Sequence, residues 1–493
     1  MDPIVETTLG RVRGVTSAGI SVFKGIPYAA PPFGDLRFAA PAPARPWDGI
    51  RDALAFGPTA PSPEYATPLD RMLPDPVIPG DEILNLNVWT PDLEMSLPVL
   101  VWIHGGAFVN GSSAVPVYDG AAFARDGVVF VSINYRLGAE GFAYLDGAPA
   151  NRGLLDQVAA LRWVRENIAA FGGNPDLVTI AGESAGAMSV TALMAMPDAE
   201  GLFRRAVAQS GAGHSAMSVG TAKRIAAALA ESLGVEPTRD GLAAVDPTDL
   251  VAAQFALSRR ILARPDPQEW GEVAADSMAF EPCVDGTVLP GRPIDRIVAG
   301  ASADVDVLIG TNADEYSLFL VPGGADQGID ENVLRMMVGA YGLDVETALA
   351  AYRESRPGAA PGQLLSAVLG DWMFLIPALR IAETRTVQLL STYVYRFEWP
   401  SSLFEGRLGA THALELGFTF DNLAAAGVEL LTGPHPPQVL ADDMHRAWVS
   451  FVSTGGPGWS PYGEARTVMC FGAESGQLED PGAEVRVLWD GIR

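Results

Sequence analysis

Six short apolar runs constrain the fold of this chain more than any other feature of its sequence. They are Leu84–Trp89, Val99–His104, Val128–Asn134, Leu177–Ala181, Ala206–Gln209 and Val305–Gly310. Each is four to seven residues long, and most are rich in valine and isoleucine and end in a polar residue or glycine. A continuous apolar strand is covered on both faces, as in a parallel sheet with helices on each side. The runs therefore predict buried, mostly parallel strands.

The segments between these runs carry helical periodicity. In Asn151–Gly172 apolar residues recur at i, i+3 and i+4 spacing, and a pair of glycines ends the pattern. A late strand at Thr392–Phe397 and a helix at Ala441–Thr454 close the predicted core. Strands that alternate with helices predict the α/β class, with a large, mostly parallel central sheet flanked by helices.

Three further stretches complete the outline. The predicted N-terminal antiparallel strands are Ile4–Thr7, Val12–Val15 and Ile20–Phe23. Residues 57–80 contain seven prolines and predict a loop, because proline lacks the N–H that helices and sheets need. Between about residues 215 and 380 the pattern is mostly helical. We therefore predict a single domain over residues 1–493, with helical cap or regulatory insertions at approximately 215–300 and 320–390.

The charge of the chain argues against several classes of partner. It has 33 basic and 59 acidic side chains and a formal net charge of −26. Such a surface repels phosphate backbones and anionic lipid headgroups, so we expect no nucleic-acid partner. No window holds the roughly 18 uninterrupted apolar residues of a membrane span, so we expect none. We expect a monomer or a small homo-oligomer.

The cysteines and histidines limit the covalent and metal chemistry. Cys283 and Cys470 are far apart and lie in no Cys-x-x-Cys pair, and the five histidines form no ligand cluster. These patterns predict two reduced thiols, no metal site and no cofactor. The N-terminal residues show neither a basic start nor an apolar run. We therefore expect a cytoplasmic protein, with secretion of a processed chain left open.

One pentapeptide carries the strongest chemical signal. Gly182-Glu183-Ser184-Ala185-Gly186 follows the run Leu177–Ala181 and precedes a segment typical of a helix. A strand, a sharp turn and a helix form a nucleophile elbow, which exposes a serine hydroxyl at the positive end of the helix. The flanking glycines avoid clashes with the neighbouring strand and helix. Ser184 is therefore the predicted nucleophile.

A glycine-rich loop predicts a second part of the same site. His104-Gly105-Gly106-Ala107-Phe108 follows a buried run directly. Such a loop turns backbone N–H groups toward one point, where the N–H of Ala185 joins them. Donors of this kind bind the negative oxygen of a tetrahedral intermediate. The loop is the predicted oxyanion hole.

Counting the histidines selects the base. His104 precedes the glycine pair, and His214 comes too soon after the nucleophile. His435 lies in a stiff, proline-flanked loop, and His445 lies in an amphipathic helix where a surface role is expected. In enzymes with such an elbow the base comes last in chain order, after the acid. His412, shortly after the last predicted strand, is the predicted base.

The acid is expected just past a strand that lies between the nucleophile and the base. The run Val305–Gly310 leads into Thr311-Asn312-Ala313-Asp314-Glu315-Tyr316. The acid holds the imidazole in one tautomer and stabilises its cation. Asp314 and Glu315 both qualify, and their spacing does not separate them.

Together these residues resemble the type B carboxylesterase family of α/β-hydrolases, which includes cholinesterases and bacterial para-nitrobenzyl esterases. The resemblance covers essentially the whole chain. Its motifs are Phe23–Ala29, Leu86–Trp89, His104–Phe108, Asn134–Gly138, Phe171–Pro175, Gly182–Gly186, Gln209–Gly211, Gly310–Asn312 with Asp314-Glu315, and the segment around His412. So many ordered matches are specific, and they imply the α/β-hydrolase fold.

The resemblance also implies roles for individual residues. The acid of the family is usually a glutamate, which favours Glu315 over Asp314. The implied oxyanion-hole residues are Gly105, Gly106, Ala107 and Ala185. Ser210 matches a serine that supports the acid and the base, although it is equally typical of a strand end. Ile83 stands where many secreted members have a cysteine, which again favours the cytoplasm. Ala107 replaces the third glycine of the cholinesterases, as in bacterial members, and retains the N–H donor.

The implied activity is that of a serine carboxylesterase acting on small-molecule esters through an acyl-enzyme. The alternatives are a carbamate, amide or lactone hydrolase with the same triad, or a non-catalytic binding protein on this fold. The candidate pocket walls are Phe108, Phe319, Trp372 and Phe374, each of which is also typical of a plain core residue.

Overall fold

A computed structural model describes residues 2–493, which form two compact units. The first unit comprises the residues up to Glu64, then Asp75–Val207 and Gly213–Val305. The second unit comprises Tyr65–Pro74, Ala208–Ala212 and Asp306–Arg493. The predicted organisation as one domain with cap insertions is not tested by this division and stays a prediction.

The strands of the first unit include five of the six predicted apolar runs, with ends that differ by a few residues, and the sixth, Val305–Gly310, corresponds to a strand of the second unit. They are β1 (Ile4–Thr7), β2 (Gly10–Arg13), β3 (Val15–Ser17), β4 (Ile20–Pro27), β5 (Ile50–Asp52), β6 (Asn85–Thr90), β7 (Leu97–Ile103), β8 (Val129–Ile133), β9 (Gly173–Glu183), β10 (Arg205–Gln209, its last two residues in the second unit), β11 (Met217–Ser218) and β12 (Cys283–Val284). The main sheet of this unit has the order β10-β9-β7-β8-β6-β4-β3. Within it, β7 is parallel to both β8 and β9, whereas β6, β4 and β3 are added in antiparallel fashion.

The predicted strand Val12–Val15 is wrong, because Gly14 divides it between two sheets. β2 pairs with β1 and β5 in a small three-stranded sheet, whereas β3 pairs with β4 in the main sheet. A Cβ on Gly14 would overlap the carbonyl oxygen of Val22. The chain changes sheets where only glycine fits, and apolar periodicity does not reveal such a point.

Some helices of the first unit pack on its main sheet, and others pack on one another. The helices of this unit are α1 (Ala121–Arg125), α2 (Gly138–Phe142), α3 (Arg152–Asn167), α4 (Ala185–Ala195), α5 (Val219–Leu233), α6 (Arg239–Ala243), α7 (Pro247–Ala263), α8 (Pro267–Trp270), α9 (Val273–Asp276) and α10 (Pro293–Val298). α3 and α4 pack on β9, the strand that leads into the elbow. The helix predicted at Asn151–Gly172 is confirmed: α3 continues as a 3-10 turn at Ile168–Phe171, and Gly172 ends it in the left-handed region.

The second unit has its own strands, β13 (Asp306–Asn312), β14 (Thr392–Phe397), β15 (Thr467–Phe471) and β16 (Gly476–Glu479). The first three are parallel neighbours in chain order, and β16 is antiparallel to β15. The strand predicted at Thr392–Phe397 is confirmed with the same bounds. Because β13 and β14 are parallel, the loops that follow them leave the same edge of this sheet.

The helices of the second unit include one unusually wide turn. They are α11 (Ser317–Leu320), α12 (Glu331–Ala340), α13 (Val345–Ser355), α14 (Pro361–Gly370), α15 (Ile376–Val387), α16 (Leu416–Thr419), α17 (Glu429–Thr432), α18 (Gln438–Thr454) and α19 (Ala483–Arg486). A π-helical segment, Asp371–Leu375, joins α14 to α15. The joined helix Pro361–Val387 has the length and apolar composition of a membrane span, but 72% of its most apolar window is buried in the fold, as in a core helix.

The proline-rich stretch of residues 57–80 behaves as predicted. Its only regular element is the 3-10 turn Leu69–Arg71. The rest is irregular, so the prediction of a loop is confirmed.

Candidate active site

Ser184 lies between β9 and α4, in the predicted sequence of strand, turn and helix. Its backbone has φ 56° and ψ −126°, a strained conformation for a residue with a side chain. A Cβ on Gly186 would overlap the carbonyl oxygen of Ile103, and a Cβ on Gly182 would lie 2.5 Å from the backbone carbon of Gly186. Only glycine fits on either side of the serine, so the neighbouring backbone imposes the strained turn.

The loop His104–Phe108, here called the oxyanion loop, leaves the end of β7 beside this turn. Gly106, Ala107 and Phe108 all have positive φ, at 111°, 53° and 62°. A Cβ on Gly105 would lie 2.7 Å from the carbonyl oxygen of Glu183 and 3.1 Å from the Cβ of Ser184. The loop therefore packs directly against the nucleophile.

The N–H of Ala185 completes the arrangement in the first unit. Ala185 is the first residue of α4, where a backbone N–H has no partner within its own helix. Such an N–H also lies at the positive end of the helix dipole. The first unit thus holds the predicted nucleophile with its predicted oxyanion donors close to it in the fold.

His104 supports the oxyanion loop from within. Its Nδ1 lies 2.8 Å from the carbonyl oxygen of Gly105, and the hydroxyl of Tyr135 donates to the His104 carbonyl over 2.9 Å. The two rings stack with centroids 4.5 Å apart. Burial lowers the pKa of His104 to about 4. The imidazole is therefore neutral at neutral pH, and its Nδ1–H donates to Gly105.

In the second unit the structure brings Glu315 and His412 together. Oε2 of Glu315 lies 2.7 Å from Nδ1 of His412, and both residues are buried. The backbone N–H of Asn312 donates to the other carboxylate oxygen over 2.8 Å. A bond at Nδ1 leaves Nε2 as the acceptor, which is the tautomer that a general base requires.

The geometry separates the two acidic residues that the spacing left open. Asp314 points away from the imidazole: it pairs with Arg356 at 2.6 Å and accepts from the N–H of Ala410 at 3.0 Å. Glu315 alone of the two contacts His412.

The surface role expected for His445 is wrong. His445 is buried in α18, and its Nδ1 lies 2.8 Å from the carbonyl oxygen of Thr419. The helix packs against α16 through this face, which also carries Ala441, Met444 and Trp448. His435 is an exposed loop residue with φ 62°.

Sequence reasoning missed Glu415, a buried carboxyl group three residues after His412. Its oxygens accept from the side-chain amides of Asn312 at 2.6 Å and Gln209 at 3.1 Å, and Gln209 in turn accepts from Trp448. Burial, and then the neighbouring Glu315, raise the pKa of Glu415. The only signal in the sequence was the i, i+3 spacing from the histidine.

Ser210 follows β10 in a strained conformation with φ 50°. Its N–H donates to the carbonyl oxygen of Gly310 over 2.9 Å, and its hydroxyl has no hydrogen-bond partner among residues 2–493. Its supporting role for the acid and the base stays a prediction.

The four candidate pocket aromatics separate into three environments. The rings of Phe319 and Phe374 lie 5.6 Å and 4.8 Å from the imidazole of His412. Trp372 lies elsewhere, against Tyr341 and the guanidinium of Arg493, and it packs on the helical core of the second unit. Phe108 is buried in the first unit and packs against Phe142 at 5.0 Å.

The remaining reactive side chains form no further centre. Within residues 2–493 no group of three or more histidine, cysteine, aspartate or glutamate side chains could hold a metal ion. Cys283 and Cys470 are buried free thiols. Burial raises the pKa of each to about 12, so both stay protonated.

A strained serine at a strand-to-helix elbow and a buried glutamate–histidine pair are typical of the active site of a serine hydrolase. The model of the carboxylesterase family matches residues 1–474. The para-nitrobenzyl esterase of Bacillus subtilis (strain 168) is 37% identical over 501 residues, which cover 98% of this chain and 97% of that protein. The phenmedipham hydrolase of Pseudarthrobacter oxydans is 37% identical over 468 residues, covering 92% and 90%. The chain therefore belongs to the carboxylesterase family.

Solved structures agree with this assignment. The carboxylesterase EST55 of Geobacillus stearothermophilus superposes with a TM-score of 0.86 at 38% identity, covering 99% of both chains. A PNB esterase structure gives a TM-score of 0.86 at 36% identity, again over 99% of both chains. The α/β-hydrolase fold and the family resemblance are confirmed, and the protein is a carboxylic ester hydrolase.

Proposed function

We propose that Ser184, His412 and Glu315 are the nucleophile, base and acid with which this carboxylesterase cleaves small esters. The observation that carries the proposal is the 2.7 Å bond between Glu315 and Nδ1 of His412, because it selects the tautomer in which Nε2 is the acceptor, as a general base requires. The strained Ser184, with oxyanion donors packed beside it, supports the choice of nucleophile.

The proposed reaction has two acyl-transfer steps. His412 takes the proton of Ser184 as Oγ attacks the ester carbonyl. The N–H groups of Gly106, Ala107 and Ala185 stabilise the resulting oxyanion. His412 then protonates the leaving alcohol, and water activated by the same imidazole releases the acid from the acyl-enzyme. Glu315 holds the imidazole and stabilises its cation throughout.

We assign an aromatic preference to the alcohol side of the substrate. The leaving alcohol takes its proton from His412, so it occupies the space next to the imidazole. Phe319 and Phe374 face that imidazole, and Phe319, which also packs against Tyr316, is 42% exposed and offers part of its ring to a substrate. The name of the Bacillus relative, para-nitrobenzyl esterase, agrees with an aromatic alcohol.

Ser184→Ala tests the nucleophile. We expect the loss of at least about 10⁴-fold in kcat for p-nitrophenyl ester hydrolysis, with an unchanged melting temperature. An organophosphate is expected to label the peptide that contains Ser184 in the wild-type protein and in the control Ser232→Ala. Retained activity of Ser184→Ala, or labelling of another serine, would contradict the assignment.

A panel of acetate esters tests the alcohol preference. We expect kcat/KM for p-nitrobenzyl acetate to exceed that for ethyl acetate, and Phe319→Ala to reduce this ratio about tenfold. Trp372→Phe is the matched control, because Trp372 lies away from His412. An equal effect of both substitutions would refute the assignment of Phe319. Carbamates, amides and lactones in the same panel separate the alternative hydrolase activities.

A further inference from the structure

The loop that carries the acid is bonded along its length to the loop that carries the base. We call Ala313–Ser317 the acid loop and Leu408–His412 the base loop. The N–H of Asp314 donates to the carbonyl oxygen of Ala410 over 2.9 Å, and the N–H of Ala410 donates back to the Asp314 carboxylate over 3.0 Å. The N–H of His412 donates to the carbonyl oxygen of Glu315 over 3.3 Å. Asp314 therefore bonds the base loop through both its backbone and its side chain.

Gly409 shows how closely the two loops approach. It has φ 61°, and a Cβ at this position would overlap a carboxylate oxygen of Asp314. The Asp314 carboxylate thus lies against the bare backbone of the base loop, three residues before His412. A small displacement of this carboxylate would shift the backbone that carries the imidazole.

Arg356 holds Asp314 from the other side. It directly follows α13, and its guanidinium donates to the Asp314 carboxylate over 2.6 Å and to the carbonyl oxygen of Ala313 over 2.8 Å. One guanidinium therefore contacts both a side chain and the backbone of the acid loop, a fixed two-point contact that lysine does not reproduce. Asp371 and Tyr352 are the other titratable groups near it.

The charge of Arg356 also has a role. Asp314 and Glu315 are neighbouring carboxyl groups, and the buried Glu415 adds a third near His412. Without a cation, repulsion would favour turning Asp314 away from the loop. Arg356 supplies that cation, so that Asp314 remains an acceptor for Ala410.

We infer that Arg356 and Asp314 are positioning residues, which hold the acid loop against the base loop and thereby fix the bond between Glu315 and His412. The inference rests on the proposed roles of Glu315 and His412. Neither Arg356 nor Asp314 touches the reacting atoms in this assignment. Their effect passes through the distance and angle between the carboxylate and the imidazole.

The first test is Arg356→Ala, with Arg353→Ala as its matched control. Arg353 lies one turn earlier and forms a half-exposed pair with Glu331. We expect Arg356→Ala to lower kcat about 10- to 100-fold at unchanged KM, because small misplacements of catalytic groups have effects of this size. The control is expected to stay within twofold of the wild type.

The pH profile separates positioning from simple loss of structure. A loosened Glu315 stabilises the protonated imidazole less, so the acidic limb of kcat/KM is expected to move to lower pH in Arg356→Ala. Active-site titration with an organophosphate corrects for the fraction of folded enzyme. A purely structural role would reduce the number of titrated sites and leave the limb in place, and that result would overturn the inference.

Chemical rescue uses the cavity beside the pair. Asp314 and Arg356 line a cavity of about 390 Å³ in the second unit, together with Gln363, Ser366 and Arg407. Removing the Arg356 side chain enlarges this cavity. Guanidinium at millimolar concentration is therefore expected to raise the kcat of Arg356→Ala at least about fivefold. The same concentration of sodium chloride is the control. Equal recovery in both salts, or no recovery, would contradict a role for the guanidinium group of Arg356 in holding Asp314.

Two further variants keep the inference testable if Arg356→Ala does not fold. Arg356→Lys keeps the charge with one contact, and we expect a smaller loss than for alanine. Asp314→Asn removes the charge and is expected to show the same lower-pH limb. Wild-type kinetics in both would overturn the inference. His412→Gln tests the proposed function separately: if it stays active, the assignment of the base fails whatever Arg356 does.

Discussion

The two parts of the proposed catalytic machinery are held by different parts of the polypeptide. In the first unit, the backbone of the neighbouring strand and loop surrounds Ser184 so closely that only glycine fits at positions 182, 186 and 105. In the second unit, side chains hold Glu315 and His412: Asp314 bonds the base loop, Arg356 bonds Asp314, and Glu415 bonds Asn312.

This difference teaches that two kinds of pre-organisation serve one reaction. Backbone packing has no rotamers to lose and no charge to screen, so it is rigid but intolerant of an added methyl group. In a hydrogen-bonded side-chain network each member depends on its partners, so removing one partner loosens the positions of the others. We therefore expect an added Cβ at one of these glycines to affect folding and activity together, and substitutions in the side-chain network to affect activity more than folding.

The largest effect is expected for Gly186→Ala. The added Cβ would overlap the carbonyl oxygen of Ile103, so either the elbow or β7 must shift. We expect undetectable activity and a loss of about 3 kcal/mol or more in the free energy of unfolding, measured by urea denaturation. Gly220→Ala on α5 is the control and is expected to be neutral, because the nearest atom to a Cβ there is Oγ of Ser218, 3.9 Å away. A stable and active Gly186→Ala variant would contradict the claim that backbone packing holds the region around Ser184.

Glu315→Gln is expected to lower kcat by about 10³- to 10⁴-fold while the melting temperature changes by no more than a few degrees. The amide keeps the shape of the carboxylate and removes the charge that stabilises the imidazolium. Steady-state kinetics with a p-nitrophenyl ester and a thermal melt suffice as measurements. A large loss of stability would show that the second unit, too, depends on tight packing at this position.

His104 gives the oxyanion loop a dependence on pH. Its folded pKa of about 4 lies below the ordinary value of 6.5, so between these values the unfolded chain binds more protons than the folded one. The stability from the neutral imidazole is present above pH 6.5 and is lost as the pH falls toward 4, a change of roughly 3 kcal/mol. Urea unfolding across this window should show the slope in the wild type and in the control His435→Gln. A slope that persists in His104→Gln would assign it to another group.

The smallest effect is expected from the two cysteines, one in each unit. Since burial raises the pKa of Cys283 and Cys470 to about 12, both thiols should react with iodoacetamide about a thousandfold more slowly in the native protein than in urea. Activity should be unaffected by the reagent. Fast labelling of one thiol alone would reveal that its unit is the looser of the two.

The region around Ser184, which backbone packing holds, was easier to predict from the sequence than the region around His412. A glycine indicates that another part of the chain approaches the backbone closely, so the glycines beside Ser184 already indicated a tightly packed turn. Both the strand before Ser184 and the helix after it are observed. The strands and α3 were predictable because apolar periodicity reports burial directly. The division of Val12–Val15 at Gly14 was not, because two alternating stretches in succession look like one strand.

The side-chain network was largely invisible in the sequence. Asp314 and Glu315 are adjacent, and only the direction of each side chain shows that one meets the imidazole and the other meets Arg356. Arg356 is 42 residues from its partner, and no spacing rule connects such a pair. His445 and Glu415 were misjudged or missed for a related reason, since a polar residue beside other polar residues looks exposed until its packing partner is known.

The π-helical turn at Asp371–Leu375 offers a way in which the substrate preference of such an enzyme can change. A π-helical turn holds more residues than an α-helical one, so the helix on either side keeps its own register. Deleting one residue here would rotate the following helix by about 100° relative to the preceding one, and Phe374 would no longer face His412. A change in chain length at one position therefore exchanges the side chain beside the imidazole. Point substitution does not offer this route to new ester preferences. Libraries of single deletions could explore it.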